Sequence, residues 1–204
     1  KAAHNQLPVL IEGEFGVGKL RLASAIDHAS DRASKPFIIV QCDALDRGDL
    51  DRELFGKGQD IGALQRATGG TILISEVSKL SSRSQEKLLS IIEDNLSAVD
   101  RKADFDRQAR IIATTSEDLV DAVRGNRFRE DLYYRLSVFP ISVASLRKRP
   151  EDIEPLARRF VTQATSEFKK TPQVEINSSA LDLLSRYDWP GNVRELKNTI
   201  RRAA

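Results

Sequence analysis

The sequence predicts an α/β domain on a mostly parallel sheet, followed by a smaller all-helical subdomain. Three observations carry this. Five short apolar runs, "PVLIEG" (8–13), "PFIIVQC" (36–42), "TILISEV" (71–77), "ARIIATT" (109–115) and "SVFPIS" (137–142), are rich in Ile and Val without alternation. Strands covered on both faces read this way. Helical stretches separate the runs, and after about Arg149 only helical patterns remain.

The elements follow in order. The first run leads through "EFGVGK" into a helix expected over 19–29, and further helices are expected over 49–55, 82–94 and 119–124. In 82–94, Leu88, Leu89, Ile91 and Ile92 recur at helical spacing. Three helices are expected in the last part, over 150–170, 178–188 and 191–204. Pro150 and the acids behind it suit a helix start, and Ser178 or Ser179 is expected to cap the second helix. Pro190-Gly191 separates the last two, and there is no internal repeat or low-complexity tract.

Composition sets limits. A chain of 204 residues can bury one full core with a small appended subdomain. Its 32 basic and 30 acidic residues leave a net charge of +2, which makes no electrostatic footprint for nucleic acid. One cysteine excludes an internal disulfide and fits a reducing compartment. No apolar run is long enough to span a bilayer and no secretory signal opens the chain, so a cytoplasmic location without membrane contact is expected. The chain has no methionine and opens on Lys1, which suggests a segment of a longer protein.

The first chemical signal is "GEFGVGKL" (13–20), with the G-x-x-x-x-G-K spacing of a phosphate-cradling loop between a strand and a helix. Gly13, Gly16 and Gly18 let the backbone, with Glu14, Phe15 and Val17, close on phosphate oxygens while Lys19 reaches the outer phosphates. Leu20 stands where most such loops place a hydroxyl on the metal. At the end of "GGTILISEV" a P-loop fold presents an acidic pair, Asp for the magnesium shell and Glu to polarise water. Here the pair is Ser75-Glu76, so the base candidate is present and Ser75 is a weak metal candidate. Read without further context, Glu76 is a surface carboxylate or a base, and Arg129 and Arg135 are a pair of helix-surface arginines.

Longer strings are more specific. "GEFGVGK", "DRELFG" (51–56), "GGTILISE", "QEKLLSIIED" (85–94), "RIIATTSEDL" (110–119), "GNRFREDLYYRLSVFPI" (125–141), "LRKRPEDIEPLARRF" (146–160) and "WPGNVRELKN" (189–198) resemble, along the whole chain, the central AAA+ domain of bacterial enhancer-binding transcription activators, the sigma-54-interaction family. The resemblance implies a P-loop NTPase sandwich with a five-stranded parallel sheet over 1–145 and a helical lid over 146–204. It implies rings with ATP between subunits, Glu76 as catalytic acid, Arg129 and Arg135 reaching a neighbour's nucleotide, and Arg194 sensing the γ-phosphate from the lid. A guanidinium suits that last role because it meets phosphate oxygens bidentately.

The departures from the family pattern are as telling. Leu20 stands for Glu, Ser75 for Asp, Ser116 for the Asn of the first sensor, and Gln41 for the Asn that restrains the catalytic Glu. Together they remove or shorten polar groups that position metal and water, where misplacement by about 1 Å can cost on the order of 100-fold in rate. The sigma-contacting loop is replaced by "KGQDIGALQRAT" (57–68), shorter by about nine residues.

Two readings of activity follow, with a third for the ligand of the pocket. One is an ATP- or ADP-binding assembly module, a homo-oligomeric ring or dimer with weak or no hydrolysis, that does not activate sigma-54 polymerase directly. The other is a working ATPase using Mg²⁺; a third would bind a guanine-based second messenger. RNA polymerase holoenzyme is the implied partner, with DNA contacted through a domain outside this segment. His4, His28, Cys42, Trp189 and the basic runs "RRF", "FKK" and "IRR" are read as surface, core or solvated residues.

Overall fold

In the computed structural model, which describes residues 2–3, 6–97, 108–167 and 175–203, five strands form one sheet: β1 (Val9–Glu12), β2 (Phe37–Gln41), β3 (Thr71–Ser75), β4 (Arg110–Thr115) and β5 (Phe139–Ser142). Their order is β2-β3-β4-β1-β5, and every neighbouring pair is parallel. Between them lie α1 (Lys19–His28), α2 (Arg47–Phe55), α3 (Ala63–Arg66), α4 (Ser82–Ser97), α5 (Leu119–Arg124) and α6 (Glu130–Leu136), with a 3₁₀ turn at Val77–Lys79. After β5 come 3₁₀ turns at Leu146–Lys148 and Pro150–Asp152, then α7 (Ile153–Glu167), α8 (Ser178–Arg186) and α9 (Asn192–Ala203).

Burial separates inner from edge strands. β1, β3 and β4 are buried almost throughout, as non-alternating runs require. β2 and β5 lie at the two ends of the strand order, and β5 alternates in burial while Ile39 of β2 is 43% exposed. The expectation that all five runs are covered on both faces is therefore corrected for these two. Pro140 sits on edge strand β5, where its missing N–H costs no inner ladder bond.

The chain forms two compact units, Lys1–Glu12 with Lys19–Ser142, and Gly13–Gly18 with Val143–Ala204. The first packs Leu10, Ile72, Ile74, Leu88, Ala113 and Leu132 into its core. The second has its own core of Leu146, Ile153, Phe160, Leu181, Trp189 and Leu196. Trp189 is 3% exposed and donates Nε1 to the Leu184 carbonyl at 2.8 Å, which fixes the turn before α9.

Local details differ from the sequence reading. The side chain of Asn177, not Ser178 or Ser179, caps α8 by accepting from the Ala180 N–H at 2.8 Å. The helix expected from Pro150 begins as a 3₁₀ turn and becomes α-helical at Ile153; 168–170, with the "FKK" run, lie outside the described residues. His4 lies outside them too, and His28 is exposed with Nδ1 2.7 Å from the Ser24 carbonyl. Arg158, Arg159, Arg201 and Arg202 are exposed while Phe160 and Ile200 are buried, so "RRF" and "IRR" are solvated helix faces. No helix of the described residues is long and apolar enough to cross a membrane.

Candidate functional site

Two strand ends and a helix start of the first unit bring Lys19, Glu76 and Ser116 together. Lys19 opens α1, Glu76 follows β3, and Ser116 follows β4. This is the carboxyl edge of the sheet, where open α/β sheets place their chemistry. Lys19 Nζ donates to Ser116 Oγ at 2.6 Å and lies 3.2 Å from Glu76 Oε1. Ser116 Oγ in turn donates to Glu76 Oε1 at 2.7 Å, and the Ser116 N–H donates to Glu76 Oε2 at 2.8 Å.

Lys19 and Glu76 are 7% and 8% exposed. A buried ion pair repays its desolvation only when further hydrogen bonds occupy the remaining lone pairs, and here Ser116 supplies two. The backbone also works to hold the carboxylate. Glu76 adopts the left-handed conformation, φ 57° and ψ 55°, as β3 gives way to the 3₁₀ turn. For a non-glycine residue that costs of order 1–3 kcal/mol, and the Glu76 N–H meets Thr114 Oγ1 at 3.3 Å in return. Beyond Ser116, Asp118 caps α5 through the N–H groups of Val120 and Asp121.

The metal-side positions are poor in oxygen. Leu20 is 41% exposed and carries none. Ser75 Oγ accepts from Thr114 Oγ1 at 3.4 Å and brings no charge. Among the described residues no group of three or more His, Cys, Asp or Glu side chains could hold a metal ion. The donor set present does not fit a protein-held Mg²⁺. Gln41 ends β2 beside Ser75 in the register and is exposed, and the bonds to the Glu76 carboxylate described above come from Lys19 and Ser116. One carboxylate nearby is uncomfortable: burial first, then the charge of Asp118, pushes the Glu12 carboxyl above its ordinary range.

In the second unit the loop Gly13–Gly18 is shaped by the helical residues. A Cβ at Gly16, whose φ is 83°, would lie 2.3 Å from the Gly191 carbonyl oxygen, and the Arg194 N–H donates to the Gly16 carbonyl at 3.2 Å. Asn192, wholly buried with φ 53°, accepts the Leu146 N–H at 2.8 Å and donates Nδ2 to the Phe15 carbonyl at 3.0 Å and to Glu14 Oε2 at 3.2 Å. Arg147 grips both oxygens of Glu14, one of them at 2.8 Å. Hydrogen bonds from Arg147 and then Asn192 pull the Glu14 carboxyl down to about 2. Arg149 donates to the Val17 carbonyl at 3.0 Å. A Cβ on Gly18, by contrast, would meet nothing within 4 Å.

Sequence reasoning gave Arg194 a phosphate-sensing part and Phe15 a place in the loop; in this structure the Arg194 guanidinium stacks 4.0 Å over the Phe15 ring. Arg129 and Arg135 remain on the first unit's surface. Arg129 forms a double hydrogen bond with Asp131, and Arg135 meets Glu93 at 3.2 Å, each arginine side chain being more than 40% exposed. Asn192, Arg147, Arg149 and Thr114 were missed. Each lies in a string quoted for the family resemblance, "WPGNVRELKN", "LRKRPEDIEPLARRF" or "RIIATTSEDL", but nothing in the string itself pairs it with the loop or with Glu76.

The turn at 56–62 is closed by its own residues. Lys57 and Asp60 pair as an antiparallel bridge, and Arg52 donates twice to Asp60 Oδ2, at 2.9 and 2.6 Å. A Cβ at Gly56, φ 78°, would lie 2.2 Å from the Asp60 carbonyl oxygen.

Comparison with known proteins places the chain. The Sigma-54 interaction domain matches residues 1–142, and the AAA+ ATPase lid domain matches residues 147–204. The phenol regulator MopR of Acinetobacter guillouiae is 39% identical over 213 residues, covering 100% of this chain and 38% of its own length. The response regulator protein FleR of Pseudomonas aeruginosa is 42% identical over 213 residues, with 100% and 45% covered. The HTH-type transcriptional regulatory protein TyrR of Salmonella typhimurium is 37% identical over 206 residues, with 100% and 40% covered. The chain thus spans less than half the length of these relatives. Among solved structures, NtrX from Brucella abortus in complex with ADP superposes with a TM-score of 0.88 at 32% identity, covering 98% of this chain and 46% of NtrX. The NtrX complex with ATP gives the same score. Hsp104, 18% identical with a TM-score of 0.64, shows the fold alone.

Proposed function

Since the chain belongs to the sigma-54 interaction domain family of bacterial transcriptional regulators, with an AAA+ lid, we propose that it is a nucleotide-binding assembly module with weak or no hydrolysis. Residues 1–145 form its nucleotide-binding subdomain and 146–204 its lid. The observation that carries this reading is the pairing of a complete phosphate-side set with an incomplete metal side. Gly13, Gly16, Gly18 and Lys19 suit a nucleotide's phosphates, and ADP and ATP are bound in the NtrX structures. Glu76 is positioned as a base whose carboxylate Lys19 and Ser116 already occupy. Leu20 and Ser75 supply no charge for a metal.

Direct activation of sigma-54 polymerase is not part of this proposal. The alignments with MopR and FleR run over 213 residues against 204 here, so at least nine positions of each relative have no counterpart, while TyrR aligns over 206. The self-closed turn at 56–62 lies where the contacting loop was expected. RNA polymerase holoenzyme remains the proposed partner, with DNA met through a domain beyond this segment. A second reading, a working inter-subunit ATPase, is favoured by one observation: among the described residues the Arg129 and Arg135 side chains meet carboxylates in exposed ion pairs, which cost little to exchange for a neighbour's phosphate.

The test is calorimetric nucleotide binding together with ATP turnover across a protein concentration series. Expected are binding that Lys19→Ala weakens on the order of 100-fold, and slow turnover that the triple change Leu20→Glu, Ser75→Asp and Ser116→Asn raises. Fast turnover in the unmodified chain, rising with its concentration and lost in Glu76→Ala, would establish the second reading instead.

A further inference from the structure

Gln85 is a buried polar residue that the reading above does not use. It lies on α4 and is 1% exposed. Its Nε2 donates to the Leu80 carbonyl at 2.9 Å and to the Arg127 carbonyl at 3.1 Å, and its Oε1 accepts the Arg129 N–H at 2.8 Å. Two carbonyls and one N–H leave the amide a single orientation. Leu80 closes the 3₁₀ turn that starts at Glu76, through Lys79 N–H to the Glu76 carbonyl and Leu80 N–H to the Val77 carbonyl. One side chain therefore joins the backbone just after Glu76 to the backbone of Arg129.

A weaker tie runs from the other side. Glu117, next to Ser116, accepts from Lys79 and, at 3.4 Å, from Arg127. These charges are exposed, and such pairs contribute little. The buried amide dominates. Arg129 is the N-cap residue of α6, so the bond to its N–H fixes where the helix and its arginines begin. A cavity of about 240 Å³, lined by Ser82, Gln85, Asn126, Arg127 and Arg129 among others, adjoins the amide and leaves this segment room to shift if the bonds are lost.

We infer that Gln85 is a positioning residue: it couples the Glu76 turn to Arg129 and so sets where the Arg129 guanidinium is presented to a neighbouring subunit. The inference rests on the proposed reading in which Arg129 meets a neighbour's nucleotide. Gln85→Met keeps the volume and removes all three bonds; Gln85→Glu keeps only the acceptor.

The experiment follows nucleotide-dependent self-association by sedimentation, nucleotide affinity by calorimetry, and exchange of the Arg129 amide by NMR, with Arg129→Ala alongside. Gln85→Met is expected to bind ATP within about twofold of the unmodified chain. Its association midpoint should rise about tenfold, the scale of one misaligned charge-assisted hydrogen bond, with a matching loss of Arg129 amide protection. Mixing it with Lys19→Ala chains, whose Arg129 is correctly held, should restore association, which a merely structural defect would not allow. Gln85→Glu should fall between, and it carries the test alone if Gln85→Met does not fold. If Arg129→Ala impairs association and both Gln85 variants match the unmodified chain, the inference falls and the trans-arginine reading stands. If Arg129→Ala changes nothing, both fall together.

Discussion

The cluster of Lys19, Glu76 and Ser116 and the network around the loop Gly13–Gly18 are held in different ways. In the first, the two charges are less than a tenth exposed and a hydroxyl and an N–H complete the carboxylate. In the second, the charges of Glu14 and Arg147 are 43% and 41% exposed, and what is buried is a neutral amide, Asn192. The comparison teaches that the buried pair should resist salt and be costly to break, whereas the loop depends more on backbone shape than on its ion pair.

The strongest way to break the contrast is Lys19→Ala. Stability should fall by about 2 kcal/mol, less than the 3–5 typical of an orphaned buried charge because Ser116 still serves both oxygens. Nucleotide affinity should fall on the order of 100-fold with the lost charge-assisted bond. Urea melts at low and high salt and calorimetry check both, and the stability loss should not depend on salt.

Next is Asn192→Ala, expected to cost about 2–3 kcal/mol through lost buried bonds and a left-handed backbone that alanine resists. Asn192→Gly loses the same bonds but accepts φ 53°, so it should be more stable than Asn192→Ala by about 1 kcal/mol. Equal melting of the two variants would remove backbone shape from the account.

Glu14→Gln should have a smaller effect, and one that depends on pH. The Glu14 carboxyl lies at about 2 in the folded chain, below its ordinary 4.5. Its stabilisation is fully present above the unfolded value and is lost as pH falls from 4.5 toward 2. The variant should therefore melt lower than the unmodified chain at neutral pH and converge with it near pH 2, the gap shrinking in salt. Smallest of all, Glu12→Gln should raise the melting temperature at neutral pH. Burial and Asp118 make the Glu12 anion unfavourable, and the gain should vanish in acid, where the carboxyl is already neutral. A stabilising effect that persisted in acid would place its origin in packing.

The inner strands were legible because complete burial on both faces leaves a run such as "TILIS" no polar position. Strand order was not, since Ile-rich β2 reads like its inner neighbour although Ile39 faces outward. Helix α6 was read only as a surface carrying Arg129 and Arg135, without bounds: "EDLYYRL" is two turns long and offers too few repeats of an apolar period. Lys19, Glu76 and Ser116 could be singled out from motif spacing and resemblance, but Ser116 bridging the other two exists only in the folded chain. Gln85 and Asn192 were harder still, because their partners lie more than forty residues away on Arg129 and Leu146.

Cys42 closes the account with a practical use. It is the chain's single cysteine, 3% exposed, and burial, with Asp43 and Glu76 adding, pushes its thiol up to about 12. A thiol that is neither ionised nor reachable ignores maleimide reagents at neutral pH. The unmodified chain is therefore a silent background for labelling, and one cysteine introduced at an exposed position such as Tyr134 or Leu183 would carry a fluorophore as the only reactive site.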